Sequence, residues 1–169
     1  MKYAKINDCD TINVVSGVSV SLWTQGCPHE CSGCFNESTW DANRGYDFSV
    51  KSEFELIKKL DNSYITTFSI LGGEPFSEQN REDVSWLTKT VRLLFPEKKI
   101  MVWTGYRLED VFKMNLDIGA IDYIIDGRFV EALADKNLKL RGSSNQTVWK
   151  RCDNEWTPLT NNEVNCLFK

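Results

Sequence analysis

Segments with the pattern of β-strands alternate with helix-like segments through the middle of the chain, and this alternation restricts the fold more than any other feature. The strand-like segments are residues 18–23, 65–71, 99–103 and 120–125, and the helix-like segments are residues 49–60, 84–94 and 108–115. Alternation or β-rich composition identifies the strands, and apolar residues on one face identify the helices. The series predicts an α/β fold with a parallel sheet, because each helix returns the chain to the start of the next strand.

The number of strand–helix units is limited by the length of the chain, which is 169 residues. A complete barrel of eight such units needs about 250 residues. We therefore expect a single domain over residues 1–169, built as a shortened, partial (βα) barrel that stays open on one side.

Four loops with chemically distinctive residues follow directly after the predicted strands. They are residues 27–34, 72–75, 104–106 and 126–127. In parallel α/β folds, ligands bind at the carboxyl ends of the strands, where such loops meet. The sequence therefore predicts one shared site to which all four loops contribute.

Three of the six cysteines, Cys27, Cys31 and Cys34, fall within eight residues. The chain has 41% hydrophobic residues and needs no disulfide framework, so clustered thiols indicate metal or redox chemistry. This spacing allows one loop to bind three irons of a 4Fe–4S cluster, which leaves the fourth iron without a protein ligand. An open metal position is typical of a catalytic site.

Two non-catalytic sites are alternatives at this point. His29, the only histidine, could complete a Cys3His zinc site, but it lies between two of the cysteines, where binding the same ion would strain the loop. We therefore expect His29 to lie near the cluster or at the surface. A cluster that only carries electrons would need a fourth cysteine, for which Cys152 and Cys166 are distant candidates.

The run of residues 24–36, Thr-Gln-Gly-Cys-Pro-His-Glu-Cys-Ser-Gly-Cys-Phe-Asn, resembles a known family. Its Cys-x3-Cys-x2-Cys motif after a first strand resembles the radical S-adenosylmethionine (SAM) superfamily. That superfamily usually has an aromatic residue just before the third cysteine, whereas this chain has Gly33 there and Phe35 after Cys34. This version is similar to the anaerobic ribonucleotide reductase activating proteins, in which a Cys-x-Gly-Cys-Tyr-Asn-like run is typical.

The resemblance implies a fold, two cofactors and a set of site residues. The fold would be a partial barrel of the radical SAM type, with Cys27, Cys31 and Cys34 binding one 4Fe–4S cluster. Gly72, Gly73 and Glu74 resemble the superfamily's Gly-Gly-Glu motif, which holds the methionine amino group of SAM. By position, Gly33 and Phe35 would lie near the adenine of SAM, beside Cys34.

The same resemblance implies an activity and a partner. The reduced cluster would cleave SAM, and the resulting 5′-deoxyadenosyl radical would take a hydrogen atom from a backbone glycine of the anaerobic ribonucleoside-triphosphate reductase large subunit. An external electron donor would be needed. A different short radical SAM enzyme is the alternative, either an activase of another glycyl-radical enzyme or a deazapurine-forming enzyme.

The resemblance covers roughly residues 11–146, and we expect residues 147–169 to form a docking element or a loose extension. Three further segments within it resemble the family. Residues 103–106 resemble a segment that lines the cofactor site, with a core tryptophan and a simple turn as the alternative, whereas residues 126–129 and residues 140–146 have no self-evident chemistry. In the last of these, Arg141 is a weak candidate for contact with a carboxylate.

Charge and composition bear on partners and location. The net charge of −4 argues against a general nucleic-acid binder, although residues 127–151 carry six Lys/Arg and two Asp/Glu and so form a basic stretch of +4. We take this stretch as a solvated face or a docking surface for the partner. No apolar run is long enough to span a membrane, and the N-terminus lacks a signal-peptide pattern, so we expect a cytoplasmic protein.

Overall fold

The computed structural model describes residues 1–168 and contains one eight-stranded sheet with helices packed against it. The strands are β1 Lys2–Asp10, β2 Val18–Thr24, β3 Tyr46–Asp47, β4 Ile65–Gly72, β5 Lys99–Trp103, β6 Tyr123–Asp126, β7 Thr147–Cys152 and β8 Glu155–Pro158. The helices are α1 Val50–Leu60, α2 Arg81–Leu94, α3 Leu108–Lys113 and α4 Asn161–Cys166. Two short 3-10 turns span Glu37–Thr39 and Glu131–Leu133.

The centre of the sheet is parallel and its two sides are antiparallel. The spatial order is β3-β1-β2-β4-β5-β6-β7-β8, in which β2, β4, β5 and β6 run parallel. On each side of these four strands, the two outermost strand pairs are antiparallel. The prediction of an α/β fold is confirmed, but the prediction of a purely parallel sheet is wrong at the edges, where β1, β3, β7 and β8 join without a crossover helix.

The sheet is also open rather than closed into a barrel, with β3 at one end of the strand order and β8 at the other. Only α1, α2 and α3 connect parallel strands, and three crossovers close no barrel. The partial barrel expected from the sequence is therefore not confirmed, and the structure has an open, mixed sheet.

The segment after residue 146 belongs to this sheet. Strand β7 pairs with β6, with Trp149 opposite Ile124, and a two-residue turn at Asp153 and Asn154 leads into β8. Both turn residues have positive φ, 49° and 68°, as a tight hairpin requires. The expectation of a loose extension is thus wrong up to Pro158, because this hairpin extends the main sheet.

The two faces of the sheet carry different environments because successive side chains on a strand point to opposite sides. One face packs against the helices, where Leu22, Phe68, Ile70, Leu87 and Val102 are fully buried. On the other face, a smaller cluster joins β5, β6 and β7 to α4 and includes Met101, Tyr123, Ile125, Val148 and Val164. The rest of that second face is left for a cavity.

The helices begin and end where local sequence favours it. Ser49 caps α1 through a capping box with Ser52, and α2 ends two residues before Pro96. None of the helices formed by residues 1–168 combines the length and apolar character needed to cross a bilayer.

Candidate functional site

One cavity of about 750 Å³ lies on the open face of the sheet, at the carboxyl ends of the central strands. All four loops predicted to share a site contribute to its lining. Among the lining residues are Cys27, Cys31, Cys34, Phe35, Gly72, Gly73, Glu74, Thr104, Gly105, Gly127, Arg128 and Phe129. Of the candidate site residues, Gly33 alone is not part of the cavity wall, although it lies in the cysteine loop between two residues that are.

The cysteine loop, residues 27–34, leaves β2 and turns back along residues 39–40. The backbone N–H of Cys27 donates to the Trp40 carbonyl at 3.0 Å, and that of Cys34 donates to the Cys31 carbonyl at 3.1 Å. Gly33 has φ of +69°, and a Cβ there would lie 2.9 Å from the Glu131 carboxyl carbon. The positive φ and this close contact favour glycine at position 33.

Two of the loop thiols bind their protons more tightly than a free cysteine does. Burial, together with the nearby Glu74 carboxylate, raises the pKa of the Cys27 thiol to about 11. Burial also raises the pKa of Cys31, and the charge of Cys34 adds to this effect. Iron binding at these thiols must therefore release protons.

The three cysteines of the loop are not arranged around a single ion. Between residues 1 and 168, no three His, Cys, Asp or Glu side chains are placed to hold one metal ion. A Cys3His zinc site would need such a group, whereas a 4Fe–4S cluster places each thiolate on a different iron. Cys27, Cys31 and Cys34 instead line a common cavity, as separate iron ligands would.

The distant cysteines do not contribute to the cavity. Cys152 and Cys166 are exposed free thiols, and neither forms part of the cavity lining. The proposed fourth ligand of an electron-transfer cluster therefore has no support from their positions.

The Gly-Gly-Glu turn, residues 72–74, continues the pairing of β4 with the chain beyond β2. The N–H of Gly73 donates to the Thr24 carbonyl at 2.9 Å, and the N–H of Glu74 donates to the Gly26 carbonyl at 2.8 Å. A Cβ on Gly73 would lie 2.5 Å from that Gly26 oxygen. Gly73 thus allows the turn to lie close against the backbone just before the cysteine loop.

The carboxylate of Glu74 is fully buried and accepts from four donors. One oxygen, Oε1, accepts from the Thr104 hydroxyl at 2.7 Å and the Phe76 N–H at 2.8 Å. The other, Oε2, accepts from the Gly105 N–H at 2.7 Å and lies 2.9 Å from His29 Nε2. A buried charge held by this many donors is well stabilised.

Residues 103–106 therefore contribute to the site, although the sequence alone left their role undecided. Thr104 and Gly105 bind Glu74, and the Tyr106 ring packs edge-on against the His29 ring with centroids 4.6 Å apart. Trp103 lines the cavity and donates through its indole N–H to the Leu140 carbonyl at 2.6 Å.

The far end of the cavity is formed by residues that the sequence did not single out. Lys5 and Trp23 line it from β1 and β2, with the Lys5 ammonium 4.0 Å from the centre of the Trp23 ring. Asp10 is buried and accepts from Asn13 and Ser21 side chains at 2.7 and 2.8 Å. The sequence signal for this region was an acidic residue, Asp10, followed by the turn-forming Asn13. This signal did not indicate on which edge of the sheet Asp10 lies.

The basic stretch covers one side of the cavity. Arg128 and Arg141 line the cavity, and Arg141 donates to the Gln146 carbonyl at 2.9 Å. Burial lowers the pKa of Arg141. Part of the stretch is therefore a cavity wall, rather than a uniformly solvated face.

Known proteins resemble this chain over most of its length. Residues 16–149 match the family model of a 4Fe-4S single cluster domain. The anaerobic ribonucleoside-triphosphate reductase-activating protein of Enterobacteria phage T4 is 42% identical over 156 residues, which cover 92% of this chain and 98% of the phage protein. The proteins of the same name from Escherichia coli K12 and Vibrio cholerae are 38% and 33% identical, each over 88% of this chain and 97% of the relative.

Proposed function

The chain belongs to the family of anaerobic ribonucleoside-triphosphate reductase-activating proteins, and from that premise we propose that it forms the glycyl radical of such a reductase. The proposed reaction is reductive cleavage of SAM followed by removal of a hydrogen atom from a backbone glycine of the reductase large subunit. The activity would be that of a radical SAM oxidoreductase.

The observation that carries the proposal is the meeting of two loops at one cavity. The cysteine loop and the Gly-Gly-Glu turn are about forty residues apart in sequence, yet the turn is bonded through its backbone to Thr24 and Gly26, just before the loop, and both line the same space. Cys27, Cys31 and Cys34 would hold the 4Fe–4S cluster, and the turn would hold the methionine end of SAM. When bound, these two groups supply a one-electron cleavage and a carbon-centred radical.

The chain's own residues would position and shield these groups. Glu74 supplies a negative charge beside Cys27, and its four internal donors fix the orientation of its carboxylate. Phe35 is 81% exposed, packs against Phe129 at a centroid distance of 5.5 Å and lines the cavity. We propose that this aromatic pair borders the adenine and excludes water from it.

An open cavity suits a polypeptide substrate. The sheet leaves one face of the site uncovered, so a loop of the reductase could reach the cofactors without a lid. We propose that the basic stretch takes part in this docking. Reversing charge at Lys150 and Lys136 should weaken binding of the reductase at low salt, because exposed charges steer association; unchanged affinity would remove this part of the proposal.

The experiment that tests the proposed reaction is anaerobic reconstitution with iron and sulfide, followed by reduction, addition of SAM and an assay for 5′-deoxyadenosine. The Cys34→Ala variant is the negative control, and Cys152→Ala is the matched control for a thiol outside the cavity. We expect the nucleoside from the wild type and Cys152→Ala only. With reductase present, a glycyl radical should appear in the electron paramagnetic resonance (EPR) spectrum. A cluster that forms but cleaves no SAM would contradict the proposal and favour an electron carrier.

A further inference from the structure

His29 occupies a buried position between the two halves of the site. Its side chain is 4% exposed, although it belongs to a loop whose neighbours Pro28 and Glu30 are exposed. Its Nε2 lies 2.9 Å from Oε2 of Glu74, whose side chain is 1% exposed. The only histidine of the chain thus connects the cysteine loop to the Gly-Gly-Glu turn through a side-chain hydrogen bond.

The neighbouring loop is shaped to admit this ring. A Cβ at position 105 would lie 2.2 Å from His29 Cδ2, so only glycine leaves room for the imidazole. The N–H of Gly105 also donates to the carboxylate oxygen that His29 contacts. Three loops, after β2, β4 and β5, therefore meet at one oxygen atom of Glu74.

The second nitrogen of the ring finds no partner in the part of the chain that the structure describes. Nδ1 of His29 is buried, and the residue lines the cavity. Because a carboxylate oxygen only accepts, Nε2 carries the hydrogen of the bond to Glu74, and Nδ1 is left to bond with a ligand. A buried polar atom without a partner destabilises the folded chain, and a hydrogen bond to a bound ligand would remove that cost.

We propose that His29 is a positioning residue for SAM. Nε2 fixes the Glu74 carboxylate and the cysteine loop relative to each other, and Nδ1 forms a hydrogen bond with the bound cofactor. This role rests on the proposed function, since it presupposes that SAM binds in this cavity. Fixing both loops before the ligand arrives reduces the ordering cost of binding, so His29 acts on affinity more than on the chemical step.

The test compares His29→Ala and His29→Gln with the wild type as full-length, reconstituted proteins. Iron content reports the cluster, the EPR change of the reduced cluster on SAM titration gives the dissociation constant, and 5′-deoxyadenosine formation gives KM and kcat. In His29→Ala we expect unchanged iron and a dissociation constant raised about tenfold, the effect of one lost charge-assisted hydrogen bond. The glutamine amide can still donate to Glu74, so His29→Gln should recover part of the affinity.

Gly105→Ala provides an independent perturbation, because its methyl group displaces the ring while His29 is kept. It should reproduce the weak SAM binding of His29→Ala. Gly119→Ala is the matched control, since the nearest atom to a Cβ there is an Asp117 oxygen at 3.2 Å and the position is far from the cavity lining.

Hydrogen exchange of the cluster-free protein gives a readout that needs no cofactor. The N–H groups of Gly105 and Phe76 donate to Glu74, so their exchange should accelerate in His29→Ala if the ring fixes the carboxylate. Wild-type affinity for SAM in His29→Ala, or iron loss from it, would overturn the role of His29 alone. A wild-type protein that shows no EPR response to SAM would overturn the proposed function, and the role of His29 with it.

Discussion

The two halves of the candidate site differ in how complete they are without a ligand. The Gly-Gly-Glu turn is complete without a ligand: the Glu74 carboxylate is fully buried, and four donors bond to its two oxygens. The cysteine loop is not, since Phe35, the next residue after it, is 81% exposed and burial raises the pKa of the Cys27 thiol. The loop also holds Glu30 and Gly33 in the left-handed region.

This difference separates the part of the site that forms on folding from the part that iron binding would complete. The turn forms with the sheet, because its partners come from β2 and from the loops that follow β2 and β5. The cysteine loop has fewer internal partners, and iron would supply the missing interactions. Changes at the turn should therefore act on the stability of the protein, whereas loss of a cysteine from the loop should act on cofactor content.

The largest effect is expected from the loss of a cysteine ligand. Cys31→Ala should abolish cluster assembly, because one of three iron ligands is removed, while the free energy of unfolding of the cluster-free protein changes by less than about 1 kcal/mol. Iron analysis and urea unfolding measure the two quantities. Cys9→Ala, which changes an exposed thiol, is the control. A large loss of stability in cluster-free Cys31→Ala would show that the loop is as complete as the turn.

A large effect on stability is expected from Glu74→Gln. In this variant the side-chain NH2 group replaces one carboxylate oxygen of Glu74. It then faces N–H groups that donate to that oxygen in the wild type, so at least one buried hydrogen bond is replaced by a repulsive contact. We expect the free energy of unfolding to fall by about 3 kcal/mol, measured by urea denaturation of the cluster-free protein. Glu55→Gln on the exposed side of α1 is the control. Equal stability of the Glu74→Gln and wild-type proteins would contradict the distinction between the two halves.

Substitution of Asp10 tests whether the far end of the cavity is also complete without a ligand. Burial by itself raises the pKa of Asp10, but hydrogen bonds from Asn13, Ile12 and Ser21 outweigh it and lower the pKa below the ordinary value of 3.8. Its stabilising effect is therefore present above about pH 4 and lost as the pH falls through the lowered pKa. Asp10→Asn should cost about 1–2 kcal/mol at pH 7.

The same substitution has a pH signature. The difference in unfolding free energy between wild type and Asp10→Asn should narrow as the pH is lowered from 5 towards 3, because the wild-type carboxyl group then becomes neutral too. Urea unfolding at several pH values measures this. If the difference in unfolding free energy stays constant with pH, the hydrogen-bond donors around Asp10 do not stabilise its charge.

The smallest effect on stability is expected at Phe35. Because this side chain is largely exposed, Phe35→Ala should change the free energy of unfolding by less than about 0.5 kcal/mol. The KM for SAM should nevertheless rise about threefold, the effect of one lost aromatic contact. Phe54→Ala, 69% exposed on α1 and outside the cavity lining, should change neither quantity. An unaltered KM in Phe35→Ala would place the adenine elsewhere.

The sequence by itself determined the central strands and the cysteine loop. Periodicity and capping are local properties, so they located β2, β4, β5 and β6 and the helices between them within a few residues. The Cys-x3-Cys-x2-Cys spacing indicated the kind of metal group for the same reason. The placement of the loops at one edge followed from the parallel order of these strands.

The tertiary structure decided the sheet edges and the internal connections of the site. Strand β1 and the β7–β8 hairpin join the sheet by antiparallel pairing, which a strand–helix pattern does not encode, although the Asp153–Asn154 turn gave a local signal for the hairpin. The bond from His29 to Glu74 spans 45 positions and depends on space left by Gly105. Such contacts arise only when distant segments pack together, because burial and donor geometry are properties of the folded chain rather than of any one segment.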